Sequence, residues 1–278
     1  MTESGEPTTE DARTLGERLK SDDRSTLMEF AARQENNLLQ EVKSSQPLIS
    51  KLLPSTVIEA EYGGEQTDPE FRAKAHRLTS RFPQLRRVRG DGNCFYRALA
   101  FAQCELCLND VAAVNRYLEQ CKDFRQRMLN LGFPEMTTTD FCDTYIEMVE
   151  KLQQGSMNAV DLLRDFNDEG ISNYYVEFMR LITATYLQEH ADQYQPFIDD
   201  GRTVQQYCHD EIDPMFKECD HVAVSALTSA LDIPIRIEYM DRTQGSDQHH
   251  DFACTDAQQP RLYFLYRPGH YDILYNQA

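Results

Sequence analysis

The chain has 278 residues, 41% of them hydrophobic, enough for one large domain with a sizeable core. Its 46 acidic against 28 basic side chains leave a formal charge of −18. That charge argues against non-specific nucleic-acid binding and against an anionic membrane surface, both of which need a basic face.

A partner carrying a basic patch fits better. No run of about 18 apolar residues is present to span a bilayer. The stretch from Met1 to Ser25 has neither the basic start nor the apolar centre of a secretory signal. The eight cysteines are therefore expected to be reduced thiols in the cytoplasm, with the nucleus as the alternative.

Residues 1–24 are polar and acidic, with few large apolar side chains, and are expected to be a disordered tail. Residues 25–46 are expected to form a helical arm. Thr26 and Glu29 have capping-box spacing, and Leu27, Phe30, Ala31, Leu38 and Val42 fall roughly on one face. Residues 47–278 make up the main domain. Asp68 and Pro69 read as the N-cap and first residue of a helix with Phe71, Ala75 and Leu78 on its apolar face.

A second helix starts at Cys94, with Phe95, Ala98, Leu99, Ala102 and Leu106 at helical spacing. Others carry Phe141 to Leu152, Val160 to Phe166, and Tyr174 to Leu187. One more runs from His221 to Leu231 after Asp220 as N-cap. The period then changes. IPIRIEYM alternates as a strand does, and RLYFLY and HYDILY read as two more strands around Arg267-Pro268-Gly269. The stretch between, Asp241 to Pro260, reads as a loop. Helices first and strands last give an α+β fold: a helical part packed on a small, mostly antiparallel sheet.

The stretch RVRGDGNCFYRAL holds the chemistry. A cysteine attacks only as its thiolate, and a helix N-terminus favours the anion through unpaired N–H groups and the macrodipole. Cys94 stands there. Gly90 and Gly92 let the chain before it turn sharply, so that amides of the Asp91-Gly92-Asn93 loop can face a carbonyl oxygen as an oxyanion hole requires. Asp91 can brace that loop by accepting backbone hydrogen bonds. A buried cysteine after an ordinary Asp-Gly turn would look the same, so a base and an orienting group are needed to decide.

His270 and Asp272 supply them. They lie two apart on a strand and therefore project to one side, while Tyr271, Ile273 and Tyr275 take the other. The remaining histidines fit blander roles: His76 on an exposed helix face, His190 and His209 near helix ends, His221 at a helix start, and His249 and His250 in the polar loop. No set of cysteines, histidines and carboxylates has convincing metal spacing. Cys104 and Cys107 form a lone C-x-x-C inside a helix pattern and read as helix-face residues. Cys121, Cys142, Cys208, Cys219 and Cys254 read as core or incidental positions. There is no P-loop, dinucleotide fingerprint or H-E-x-x-H.

GDGNCFYRAL, DHVAVSAL, IRIEYMDR and LYRPGHYDILY together resemble the ovarian-tumour (OTU) cysteine proteases, and within them the otubains. The resemblance covers roughly Pro47 to Tyr275. It implies the papain-like OTU thiol-protease fold, although the papain signature around the cysteine is absent. It also implies a deubiquitinating isopeptidase with Cys94 as nucleophile, His270 as general base, Asp272 as orienting acid and Asp91 shaping the oxyanion loop of Gly92 and Asn93.

No metal or cofactor is implied. The implied partners are ubiquitin and polyubiquitin, with no nucleic acid or membrane, and a monomer is expected. The arm suggests the kind of otubain that prefers chains linked through the forty-eighth-residue lysine of ubiquitin and that blocks ubiquitin-conjugating (E2) enzymes without using its cysteine. Two other classes stay open on the residues alone: an E2-binding regulator without hydrolysis, and a redox-sensing thiol protein.

Overall fold

The computed structural model describes residues 46–64, 66–241, 249–253 and 259–276. The expected tail, all of the expected arm except Gln46, and Cys254 lie outside the described residues. From Pro47 onward the chain makes one compact unit.

Among the described residues, six strands form one sheet: β1 (Leu53–Pro54), β2 (Gln84–Arg86), β3 (Ile235–Tyr239), β4 (His249–Phe252), β5 (Leu262–Arg267) and β6 (His270–Tyr275). Their order is β1-β2-β6-β5-β3-β4. Only the β3–β5 pairing is parallel. Two short helices, α1 (Thr56–Tyr62) and α2 (Pro69–Arg81), precede β2. Helices α3 (Cys94–Cys107), α4 (Val111–Asn130), α5 (Glu135–Gln153), α6 (Ala159–Asn167) and α7 (Glu169–Glu189) follow it. Two four-residue helices, α8 (Ala191–Tyr194) and α9 (Val204–Tyr207), lead to α10 (His221–Leu231).

The α+β reading holds, with its sheet mostly antiparallel. Asp68 caps α2 by accepting from the Glu70 amide, and Asp220 caps α10 by accepting from Ala223. Three departures are instructive. The loop reading of 241–260 is corrected by β4, which pairs antiparallel with β3 and carries His249 and His250. Its outer residues are exposed, so it lacks the apolar alternation that marks a strand. β1 and β2 are too short to show a period at all. α4 was not singled out, although Val114, Tyr117, Leu118 and Cys121 line its buried face.

The sheet is covered on both faces. Phe264, Tyr271 and Ile273 point into the large core with α3 to α7, whereas Leu265 and Leu274 point into a smaller core with Ile58, Ala75, Leu78 and Phe82 of the α1–α2 side. The period of two in β5 and β6 produces this split. α3 is buried on almost every side, polar Arg97 and Gln103 included. Phe95 meets Phe264 and Tyr271 with ring centroids 5.9 Å and 5.0 Å apart. Each such fully buried ring contributes about 1.5–3 kcal/mol, and this contact fixes the start of α3 against β5 and β6.

Candidate active site

Cys94 is the first residue of α3 and is buried. The loop before it is built by side chains. Asp91 Oδ1 accepts from the Asn93 amide at 2.9 Å. Both carboxylate oxygens of Asp91 also accept from Arg97 Nη1, at 3.0 Å and 2.9 Å. Arg97 is fully buried on α3, and its Nε donates to Ser172 Oγ of α7 at 3.0 Å. Asp91 therefore ties the loop to the helix it introduces, and the pairing offsets what a buried guanidinium would otherwise cost.

Asn93 is held from the other side. Its Oδ1 accepts from Arg180 Nη2 at 2.8 Å and from the Phe216 amide at 2.9 Å. Arg180 also donates to the carbonyls of Gly92 at 3.2 Å, Lys217 at 2.7 Å and Ile212 at 2.8 Å, and its guanidinium lies 4.3 Å from the centre of the Tyr96 ring. Gly92 sits at φ +79°, and a Cβ there would stand 2.0 Å from the Phe216 carbonyl oxygen. Only glycine fits. Asp91 takes the Asn93 amide, so that amide is not the one available to a substrate carbonyl.

The opposite wall is the start of β6. Pro268 and Gly269 close a two-residue hairpin, with Arg267 paired to His270 and Gly269 at φ +75°. His270 Nε2 lies 2.9 Å from Asp272 Oδ1. The other ring nitrogen, Nδ1, faces Gly90, where a Cβ would stand at 3.1 Å. Burial disfavours the charged imidazole, but hydrogen bonds to Asp272 and Cys94 and the negative charges of both push His270 up to about 9. The ring is an imidazolium at neutral pH beside the sulfur.

Asp272 is completely buried and fully engaged. Oδ1 also accepts from the Val88 amide at 3.0 Å, and Oδ2 from Arg87 Nη1 at 2.7 Å and from Arg267 Nη2. Burial opposes its ionisation. The hydrogen bond to His270, with the charges of His270, Arg267 and Arg87, wins and holds the carboxyl far below the usual range. Glu61 of α1 pairs with both Arg87 and Arg267 from the solvent side. A chain of alternating charge thus runs Glu61, the two arginines, Asp272, His270.

The structure therefore brings Cys94, His270, Asp272 and Asp91 to one place, flanked by Gly92 and Asn93. Sequence reasoning did not single out Arg87, Arg97, Arg180, Arg267 or Glu61. Arg97 carried a usable signal, a charge inside an otherwise apolar helix pattern. Arg267 stood inside a motif read only for its glycine and histidine. Among the described residues, no three His, Cys, Asp or Glu side chains are grouped to hold a metal. Cys104 and Cys107 are buried in α3, where Cys104 Sγ lies 3.3 Å from the Tyr145 hydroxyl.

The chain matches known proteins in sequence and fold. The family model described as Peptidase C65 Otubain matches residues 41–276. "Ubiquitin thioesterase otubain-like" of Caenorhabditis elegans is 40% identical over 247 residues, covering 88% of this chain and 87% of its own. "Ubiquitin thioesterase OTUB1" of Homo sapiens is 37% identical over 243 residues, covering 87% and 88%. A solved structure titled as a complex of ceOTUB1, ubiquitin aldehyde and UBC13~Ub superposes with a TM-score of 0.85 at 40% identity, over 88% of this chain and all of that one. Fold and sequence agree: this chain belongs to the otubain family and is a cysteine peptidase.

Proposed function

We propose that the protein is a deubiquitinating isopeptidase that works through a Cys94–His270–Asp272 triad. The observation that carries this reading is the imidazole of His270, held between a buried carboxylate and the sulfur of a helix-start cysteine. The Cys94 thiolate attacks the carbonyl that joins ubiquitin's C-terminal glycine to a lysine. The amides of Gly92 and Cys94 receive the oxyanion, with Asp91 and Asn93 fixing the loop. His270 gives its proton to the departing amine. It then takes a proton from water, which releases ubiquitin from the thioester.

The preferred substrate is a chain linked through the forty-eighth-residue lysine of ubiquitin, with residues 25–46 engaging the second ubiquitin. The protein acts as a monomer in the cytoplasm, with the nucleus as the alternative. Relatives named ubiquitin thioesterase support the activity. Cleavage of a panel of linkage-defined di-ubiquitins, with Cys94→Ser alongside, tests it. Cleavage led by one linkage and absent in the variant is expected.

A second role has its own support. Otubains similar to this chain are solved in complexes titled with UBC13~Ub and UBCH5B~Ub. Binding and inhibition of E2 enzymes without the cysteine is therefore proposed as an additional activity. Cys94→Ser should still slow E2-driven chain synthesis.

A further inference from the structure

The segment from Met215 to Cys219 runs from the oxyanion loop to the turn before His270. At one end the Phe216 amide donates to Asn93 Oδ1 at 2.9 Å, and the Phe216 carbonyl fills the space that a Cβ on Gly92 would need. In the middle, the Lys217 carbonyl accepts from Arg180 at 2.7 Å. At the other end, Glu218 Oε1 stands 2.8 Å from where a Cβ on Gly269 would be. The segment thus touches both the loop before Cys94 and the turn before His270.

Phe216 is the anomaly in it. Its φ is +65°, the left-handed region that a bulky side chain rarely adopts. The residue is nevertheless 58% exposed, while the neighbouring Met215 packs against the main core. An exposed ring adds little to the fold, and the strained backbone beneath it meets Gly92 and Asn93 of the loop before the nucleophile.

We propose that Phe216 is a specificity residue for the leaving-group side, its ring covering the methylene stem of the lysine whose amine departs. This rests on the isopeptidase reading above. The acyl side ends in glycine and offers backbone amides, which need polar partners. A lysine stem offers four methylenes, and a ring suits that surface. The departing nitrogen must also lie within reach of His270, and this segment joins the oxyanion loop to the turn that carries His270.

The test uses the full chain and two substrates with the same acyl half: a lysine-linked di-ubiquitin and the C-terminal ethyl ester of ubiquitin. Phe216→Ala should raise KM for the di-ubiquitin roughly tenfold with kcat little changed. The ester should show no such rise, and Phe216→Leu should restore most of the di-ubiquitin KM. Equal losses on both substrates would place the ring on the acyl side and overturn the proposal, as would no loss on either. If Phe216→Ala lowers the melting temperature, Phe216→Leu decides: a selective di-ubiquitin defect that shrinks with side-chain size supports the contact, and an unselective one refutes it. A wild-type chain that cleaves neither substrate would refute the isopeptidase reading as well.

Discussion

Gly90 faces the imidazole of His270 so closely that a methyl group on its α-carbon would stand 3.1 Å from Nδ1. The glycine is therefore room for the base and not only a turn residue. Gly90→Ala should push the ring away from the sulfur. The ring need move only a fraction of an ångström, and since misplacement by about 1 Å reduces turnover about 100-fold, a loss of roughly tenfold is expected. Steady-state kinetics should show that loss in kcat, and the melting temperature should barely move.

Asp272→Asn tests the charge chain. The variant removes the carboxylate that holds His270 up at about 9, so the alkaline limb of the pH–rate profile should move down from about 9. It also leaves Arg87 and Arg267 against a neutral amide in a buried site, at a cost of about 3 kcal/mol. Denaturant unfolding and a pH–rate profile read the two effects separately.

The sign of the pH dependence of stability follows from the same shifts. His270 is raised in the fold, so its contribution is complete below its ordinary value of 6.5 and is lost as pH rises through about 9. Asp272 is depressed, so its contribution is present above the ordinary carboxylate value and is lost only as pH falls through its lowered one. The stability gap between the wild-type chain and His270→Gln should be widest below pH 6.5 and fade above about 9. Melting curves at several pH values check this.

Asp91→Ala should be more damaging than an ordinary turn substitution. It leaves the fully buried Arg97 without its carboxylate and frees the loop before the nucleophile. A loss of roughly 3 kcal/mol is expected, with activity falling further than stability does. Unfolding and turnover measured on the same sample separate the two.

These sites show what the sequence could and could not reveal. Local signals carried the start of α3, the Asp68 and Asp220 caps and the facing of His270 with Asp272, because each depends on residues a few positions apart. The arginine clamps are long-range: Arg87 meets Asp272 across 185 positions and Arg180 meets Asn93 across 87. No periodicity encodes such pairings. β4 was illegible for a different reason, since an exposed edge strand buries no alternate face. Phe216 gave no signal because its meaning lies in its backbone angle and its neighbours.

The most direct test of the account is covalent capture. A ubiquitin carrying a C-terminal electrophile should be incubated with the full chain and the product read by intact mass and peptide mapping. The account predicts one ubiquitin per chain, attached to Cys94, with no adduct in Cys94→Ser and a much slower reaction in His270→Gln. No adduct, or attachment to another cysteine, would contradict it.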